Sequence, residues 1–148
     1  MKLPLTDDEF RLIYSKVPRL NVEIVINTAD GIVLTKRSIN PWKGYWHLPG
    51  GTVYMNETLE EAVRRIALDE VGLKVEAKEL LGYVVYPSIK AHKGLGWPVG
   101  IAFSASIISG SLEVNENGEA AKKFKQLPVN IIQEQKDFIE QKSLIQPQ

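Results

Sequence analysis

Cysteine is absent from this 148-residue chain. Disulfides and thiolate metal sites are excluded, and the composition fits a reducing compartment. An excess of one charge is missing too: 18 basic residues balance 18 acidic ones. No net field favours nucleic acid, an anionic membrane or a polycationic partner. No apolar run approaches the roughly 20 residues needed to span a bilayer. The start, MKLPLTDDEF, has acids where a signal peptide needs an apolar block, so a cytoplasmic location is the expectation. Repeats and low-complexity tracts are also lacking. With 44% hydrophobic residues, the chain can build one core but is too short for two ordinary domains. A single domain over 1–148 is expected.

The elements follow from capping signals and periodicity. Thr6 and Glu9 form a capping-box pattern at the start of a helix over about 6–16, ended by Pro18. Asn21 to Asn27 is β-branched and predicts a strand. Ala29-Asp30-Gly31 turns it into a second arm over Ile32 to Lys36. Ser38 to Gly44 is loop, and Tyr45 to Leu48 is short and extended. Thr58 to Val71 predicts a helix: Thr58 and Glu61 suggest a second capping box, Leu59, Ala62, Val63, Ile66 and Ala67 make an apolar stripe, and Gly72 suits a C-cap. Strands are expected at Leu81 to Tyr86, Val99 to Ile108 and Lys122 to Leu127, with Ser109-Gly110 a turn. Pro87 to Pro98 is a long loop, and Pro128 opens a last helix burying Ile131, Ile132, Phe138 and Ile139. This pattern argues a mixed α/β (α+β) domain.

The chemistry concentrates in PGGTVYMNETLEEAVRRIALDEVGL, Pro49 to Leu73. Gly50-Gly51 permits close backbone approach by a ligand or ion, though a plain turn would use the same pair. Asp69, Ile66 and Glu70 fall within roughly one 100° sector of a helix, so Glu70 continues the apolar stripe. Its stem can pack on the core edge while its carboxylate faces a cleft. Adjacent acids supply oxygen ligands to a hard cation. A pair at a helix end can equally be a solvated face.

Joint spacing separates the two readings. Gly51, Glu57, Arg65, Glu70, Gly72 and Leu73, with Asp69 as an acid-for-acid swap, follow the pattern G-x5-E-x7-R-E-U-x-E-E-x-G-U, where U is bulky and apolar. The stretch resembles the Nudix hydrolase signature. The resemblance extends from about Asn21 to about Gln141. It implies an α/β/α sandwich around a mixed β-sheet, and hydrolysis of a nucleoside diphosphate linked to another moiety with Mg2+ or Mn2+. It further implies metal ligation by the Gly50 carbonyl, Glu70 and Asp69, and an Arg65 that orients Glu57.

Two departures shape the expectation. Ile66 stands where the signature has a glutamate and can neither ligate metal nor take a proton, so fewer ions are expected. The same loss marks the GDP-mannose mannosyl hydrolase subgroup, which the chain also resembles at Lys36-Arg37, Pro41, Gly44-Tyr45-Trp46 and the PGG block. That resemblance implies Glu23 and Arg37 as substrate contacts. It breaks at Thr52, where the subgroup has an arginine, and at Ala120 and Ala121, where it has a glutamine ligand and a histidine base. A substitute base is then needed: Glu119 first, Glu116 second, His92 third. His47 suggests a buried, hydrogen-bonded role. Trp97 either stacks on a nucleobase or braces its loop.

Three readings follow. The first is a Mg2+-dependent hydrolase of a nucleoside diphosphate derivative, an NDP-sugar foremost. The second is a pyrophosphohydrolase attacking at phosphorus. The third is a catalytically weak nucleotide-binding module. The amphipathic N-terminal helix suggests a homodimer.

Overall fold

The computed structural model describes residues 4–91, 96–112 and 120–145. The first helix, α1, spans Asp7–Tyr14. Thr6 caps it, and the reciprocal bonds of a full capping box with Glu9 are both present. Strand β1 (Arg19–Thr28) turns into β2 (Gly31–Lys36). Gly31 has φ +110°, and a Cβ there would strike the carbonyl of Phe124. Short strands β3 (Trp46–His47) and β4 (Gly50–Thr52) follow, then α2 (Leu59–Val71). Beyond them lie β5 (Leu73–Val85), a 3-10 turn (Pro87–Ala91), β6 (Pro98–Gly110), β7 (Ala121–Phe124) and α3 (Gln133–Gln141).

All seven strands form one mixed sheet in the order β3-β2-β1-β6-β5, with β4 added to β1 and β7 to β2. The β1–β6 pair is parallel and the others are antiparallel. Period two divides β1 between two cores. Val22, Ile24 and Ile26 point to a core shared with Val63, Ile66 and Ala67 of α2. Val25 points to a second core, with Leu34, Leu48 and Ile139 of α3. Helices thus cover both faces, giving the expected α/β/α sandwich.

Several local expectations are corrected. Thr58 accepts from the Glu61 N–H at 3.1 Å, but its hydroxyl also holds the Glu61 carboxylate at 3.1 Å. The return bond of a capping box to the Thr58 backbone is therefore replaced by a side-chain bond. Pro128 does not open the last helix. A turn at residues 129–130 comes first, then Asn130 to Ile132 pair with Trp46 of β3, and α3 begins at Gln133. The four apolar residues expected to be buried there are nonetheless all buried. Strand β5 starts eight residues before Leu81, directly after the left-handed Gly72 cap, and Ser109-Gly110 is the end of β6, not a separate turn.

Candidate active site

Arg65 sits at the centre of the α2 face of the site. Its Nε donates to Glu57 Oε2 at 2.7 Å and its Nη2 to Glu57 Oε1 at 2.9 Å. Nη2 also donates to the Thr52 carbonyl at 2.8 Å, and the guanidinium lies 3.8 Å from the Tyr54 ring centroid. The bond from Arg65 holds the Glu57 carboxyl below its ordinary range, and the same bond pushes Arg65 up, with Asp69 adding a smaller contribution. Glu57 Oε1 accepts the Tyr54 N–H as well. A forked cation–carboxylate bond of this kind fixes the loop that leads into α2. Lysine cannot reproduce the fork. Arg65→Lys is expected to destabilise the fold by about 1–2 kcal/mol, read as a lower urea midpoint with an unchanged slope.

Gly50 meets Glu70 at the free edge of β4. The bonds Ile24 N–H to Pro49 O and Val53 N–H to Leu20 O alternate so that Glu23 and Gly50 form a non-hydrogen-bonded pair. The N–H and C=O of Gly50 therefore face away from β1, and the N–H lies 3.3 Å from Glu70 Oε2. The carbonyl shares that edge with a partly buried carboxylate. Asp69, one residue earlier, is exposed. Ile66 is buried in the α2 core and lies 3.2 Å from where a Cβ of Gly51 would be. The signature's missing glutamate is thus replaced by packing.

One carboxylate and one carbonyl suit a hard cation that keeps waters and borrows phosphate oxygens, as Mg2+ does. Among the described residues, no group of three or more His, Asp or Glu could hold a metal ion. The donor set fits one ion and does not provide a dedicated cage.

On the other side of β4, a cavity of about 430 Å3 opens between α1, β1 and the loop after β2. Glu23 forms part of its floor and is 5% exposed. A buried chain of bonds supports it. The Leu48 N–H donates to Gln135 Oε1 at 2.6 Å, Gln135 Nε2 to Tyr86 Oη at 2.8 Å, and the Tyr86 hydroxyl to Glu23 Oε1 at 2.7 Å. Desolvation pushes the Glu23 carboxyl up to about 7, against the pull of Tyr86 and Arg19. The phenol of Tyr86 is raised well above its ordinary value, chiefly by burial, so it remains the donor. Gly50 and Gly100 flank this carboxylate; a Cβ on either would strike it.

Arg37 lines the same cavity and donates from Nε to the Pro41 carbonyl at 2.6 Å. Trp97 does not line it. That ring packs against the cluster of Tyr86 and Ile89, under Lys90. The tryptophan in the cavity wall is Trp42. Ala120 and Ala121 pack against the two cores. Glu116, Glu119 and His92 lie outside the described residues.

Four contributors escaped the sequence reading: Arg19, Trp42, Tyr86 and Gln135. Only Arg19 left a local signal. Arg19, Asn21 and Glu23 stand at period two in a strand whose other residues are mostly apolar.

A NUDIX domain family model matches residues 17–144. The chain is 41% identical over 78 residues to low-salt glycan biosynthesis protein Agl8 of Haloferax volcanii, covering 53% of this chain and 50% of that protein. It is 36% identical over 107 residues to an ADP-ribose pyrophosphatase of Methanocaldococcus jannaschii, covering 72% of this chain and 62% of the relative. The chain thus spans between half and two thirds of the length of these curated relatives. A solved MutT NUDIX hydrolase from Burkholderia pseudomallei superposes with a TM-score of 0.72 and 30% identity, over 85% of this chain and 98% of that one. Signature spacing, sheet topology and the match over most of its length together place this chain in the Nudix family.

Proposed function

We propose that the protein hydrolyses a nucleoside diphosphate linked to another moiety, an NDP-sugar foremost, with one Mg2+ or Mn2+. The observation that carries this reading is the position of Gly50. It lines the cavity while its outer edge meets Glu70, so a diphosphate in the cavity's mouth would reach both. Glu70 and the Gly50 carbonyl would hold the ion, with Asp69 beside them as a further acid. When bound, the ion offsets diphosphate charge and stabilises the departing group. Arg37 would neutralise the diphosphate from the cavity wall. Glu23 would contact substrate from the floor, and Arg65 would hold Glu57 and its loop in place. Glu119 remains the proposed source of the base that activates water. Trp42, which lines the cavity, takes the place expected of Trp97 as the aromatic substrate contact.

The runner-up is attack at phosphorus, as in an ordinary pyrophosphohydrolase. The ADP-ribose pyrophosphatase relative supports it. Hydrolysis in 18O-water separates the two: label in the sugar means attack at carbon, label in phosphate means attack at phosphorus. A panel of nucleoside diphosphate derivatives with Mg2+ or Mn2+ is the first measurement. Ligand-induced thermal stabilisation without product release from any of them would leave a binding module instead.

A cytoplasmic homodimer is part of this reading. Among the described residues no helix is long and apolar enough to cross a membrane, and α1 and the turn after it expose Leu12, Ile13 and Val17. A monomeric mass in sedimentation equilibrium would remove the dimer.

A further inference from the structure

The buried bonds beneath the cavity have a direction, and one backbone group fixes it. The Leu48 N–H can only donate, so Gln135 turns its amide oxygen to Leu48 and its nitrogen to Tyr86. The Tyr86 hydroxyl accepts from Gln135, and its single hydrogen is left for Glu23 Oε1. Gln135 and Tyr86 are both buried. The start of α3 is itself tied down: Ile132 N–H donates to the Trp46 carbonyl, and Glu134 Oε2 accepts from the Ser88 N–H at 2.9 Å.

The two oxygens of Glu23 are therefore unlike. Oε1 is committed to Tyr86 and lies toward β6, where a Cβ on Gly100 would strike it. Oε2 lies toward β4, where a Cβ on Gly50 would strike it. Among the described residues, Gly50 lines the cavity and Gly100 does not. Oε2 accepts no hydrogen bond among the described residues, yet it is not one of the fully enclosed polar atoms that lack a partner. It is the oxygen on the ligand's side. An ionised carboxylate only accepts, so the group that meets Oε2 donates. Beside a diphosphate held at Gly50, the nearest neutral donors are the hydroxyls of the sugars it joins.

We propose that Gln135 and Tyr86 are positioning residues that make Glu23 one-sided: they hold Oε1, and Oε2 alone accepts from a sugar hydroxyl of the nucleoside diphosphate derivative. The inference rests on the cavity being the nucleotide site, and it adds which oxygen reads the ligand and what sets it.

The relay gives Tyr86→Phe opposite effects in two backgrounds. Beside the native Glu23, loss of the phenol lets the carboxylate turn, and binding weakens. Glu23→Gln places an amide whose oxygen the Tyr86 hydroxyl holds, so its NH2 faces the ligand hydroxyl in place of an acceptor. Adding Tyr86→Phe lets that amide turn over and offer its oxygen. Glu23→Gln combined with Gln135→Glu reaches the same end: the new carboxylate takes the Tyr86 hydrogen, the relay runs backward, and Tyr86 Oη accepts from the amide at position 23.

ADP-ribose and GDP-mannose are titrated calorimetrically into the full chain at pH 8 in EDTA. The ligand bound more tightly is carried through the variants, with melting curves confirming each fold. Tyr86→Phe is expected to weaken binding about threefold and Glu23→Gln at least about tenfold. Both double variants are expected to bind at least about threefold more tightly than Glu23→Gln alone. Wild-type affinity in Glu23→Gln overturns the proposal. So does a folded double variant of either kind that binds no better than Glu23→Gln. The exchange of Glu23 and Gln135 keeps every relay partner, so it decides the matter if the Tyr86→Phe chains do not fold. Restored binding without turnover of any diphosphate derivative keeps this relay and removes the hydrolase reading. Turnover without restored binding does the reverse, and a wild type that binds neither ligand overturns both.

Discussion

Glu70→Gln is expected to lower metal-dependent turnover by roughly 10²–10⁴-fold, the equivalent of several kcal/mol of lost charge stabilisation. The variant keeps the length of the side chain and an oxygen for the Gly50 N–H, now 3.3 Å from Glu70 Oε2. What it loses is the negative charge beside the Gly50 carbonyl. A hard cation held by one carboxylate, one carbonyl and borrowed phosphates has little to replace it. The loss should appear in kcat/KM across a Mg2+ titration and should ease only in part at high metal. The melting temperature should stay within a few degrees of wild type. Full activity in the variant would overturn the assignment of Glu70 as ligand. The corresponding Asp69→Asn change should cost much less, because Asp69 is exposed and only contributes to the field around Arg65.

The second large effect is on stability. The Glu23 carboxyl is raised from 4.5 to about 7 in the folded chain. A raised acid favours the folded state fully below the unfolded pKa, and that contribution is lost as pH climbs through the folded value. Between about pH 4.5 and 7 the wild type should therefore lose stability on this account. The difference corresponds to about 3 kcal/mol at pH 8, at about 1.4 kcal/mol per pKa unit. Glu23→Gln keeps an acceptor for the Tyr86 hydroxyl and removes the buried charge. It should be close to wild type at pH 5 and more stable at pH 8. The gain at pH 8 corresponds to a Tm rise on the order of 6–12 °C. Thermal unfolding of both proteins from pH 5 to 8 checks this. Parallel curves would mean that the carboxylate is stabilised by something other than the Tyr86 and Arg19 contacts.

Local chemistry made much of the fold legible. Thr6 with Glu9, Thr58 and Gly72 mark helix ends through groups within a turn of one another. The β-branched run of β1 marks a buried strand. The first half of β5 went unassigned because Lys74, Glu76, Lys78 and Glu79 leave few apolar residues in that stretch, although Leu73 and Val75 alternate inward with them. The start of α3 was misplaced because Ile131 bridges to Trp46 and packs in its cluster while Ile132 packs with Tyr86, tertiary events that no periodicity announces.

The site divides in the same way. Gly50, Glu57, Arg65, Asp69 and Glu70 were legible because their spacing is local to one loop and helix. Tyr86 and Gln135 were not, since they reach Glu23 and Leu48 from 63 and 87 positions away. Trp42 rather than Trp97 lines the cavity because the loop after β2 folds back over the strand end, and the sequence carries no signal for that path.

The alternation along β1 has a consequence for folding. If the strand paired with β6 one residue out of step, every side chain would change face. Arg19, Asn21 and Glu23 would then enter the apolar layer under α2, and Val22 and Ile24 would line the cavity. The misfolded alternative would bury two charges and an amide with no partners, a loss no apolar gain on the other face would recover. The residues that make the cavity polar therefore also keep time for the sheet, so that the chain can assemble its binding surface only in the register that completes its core.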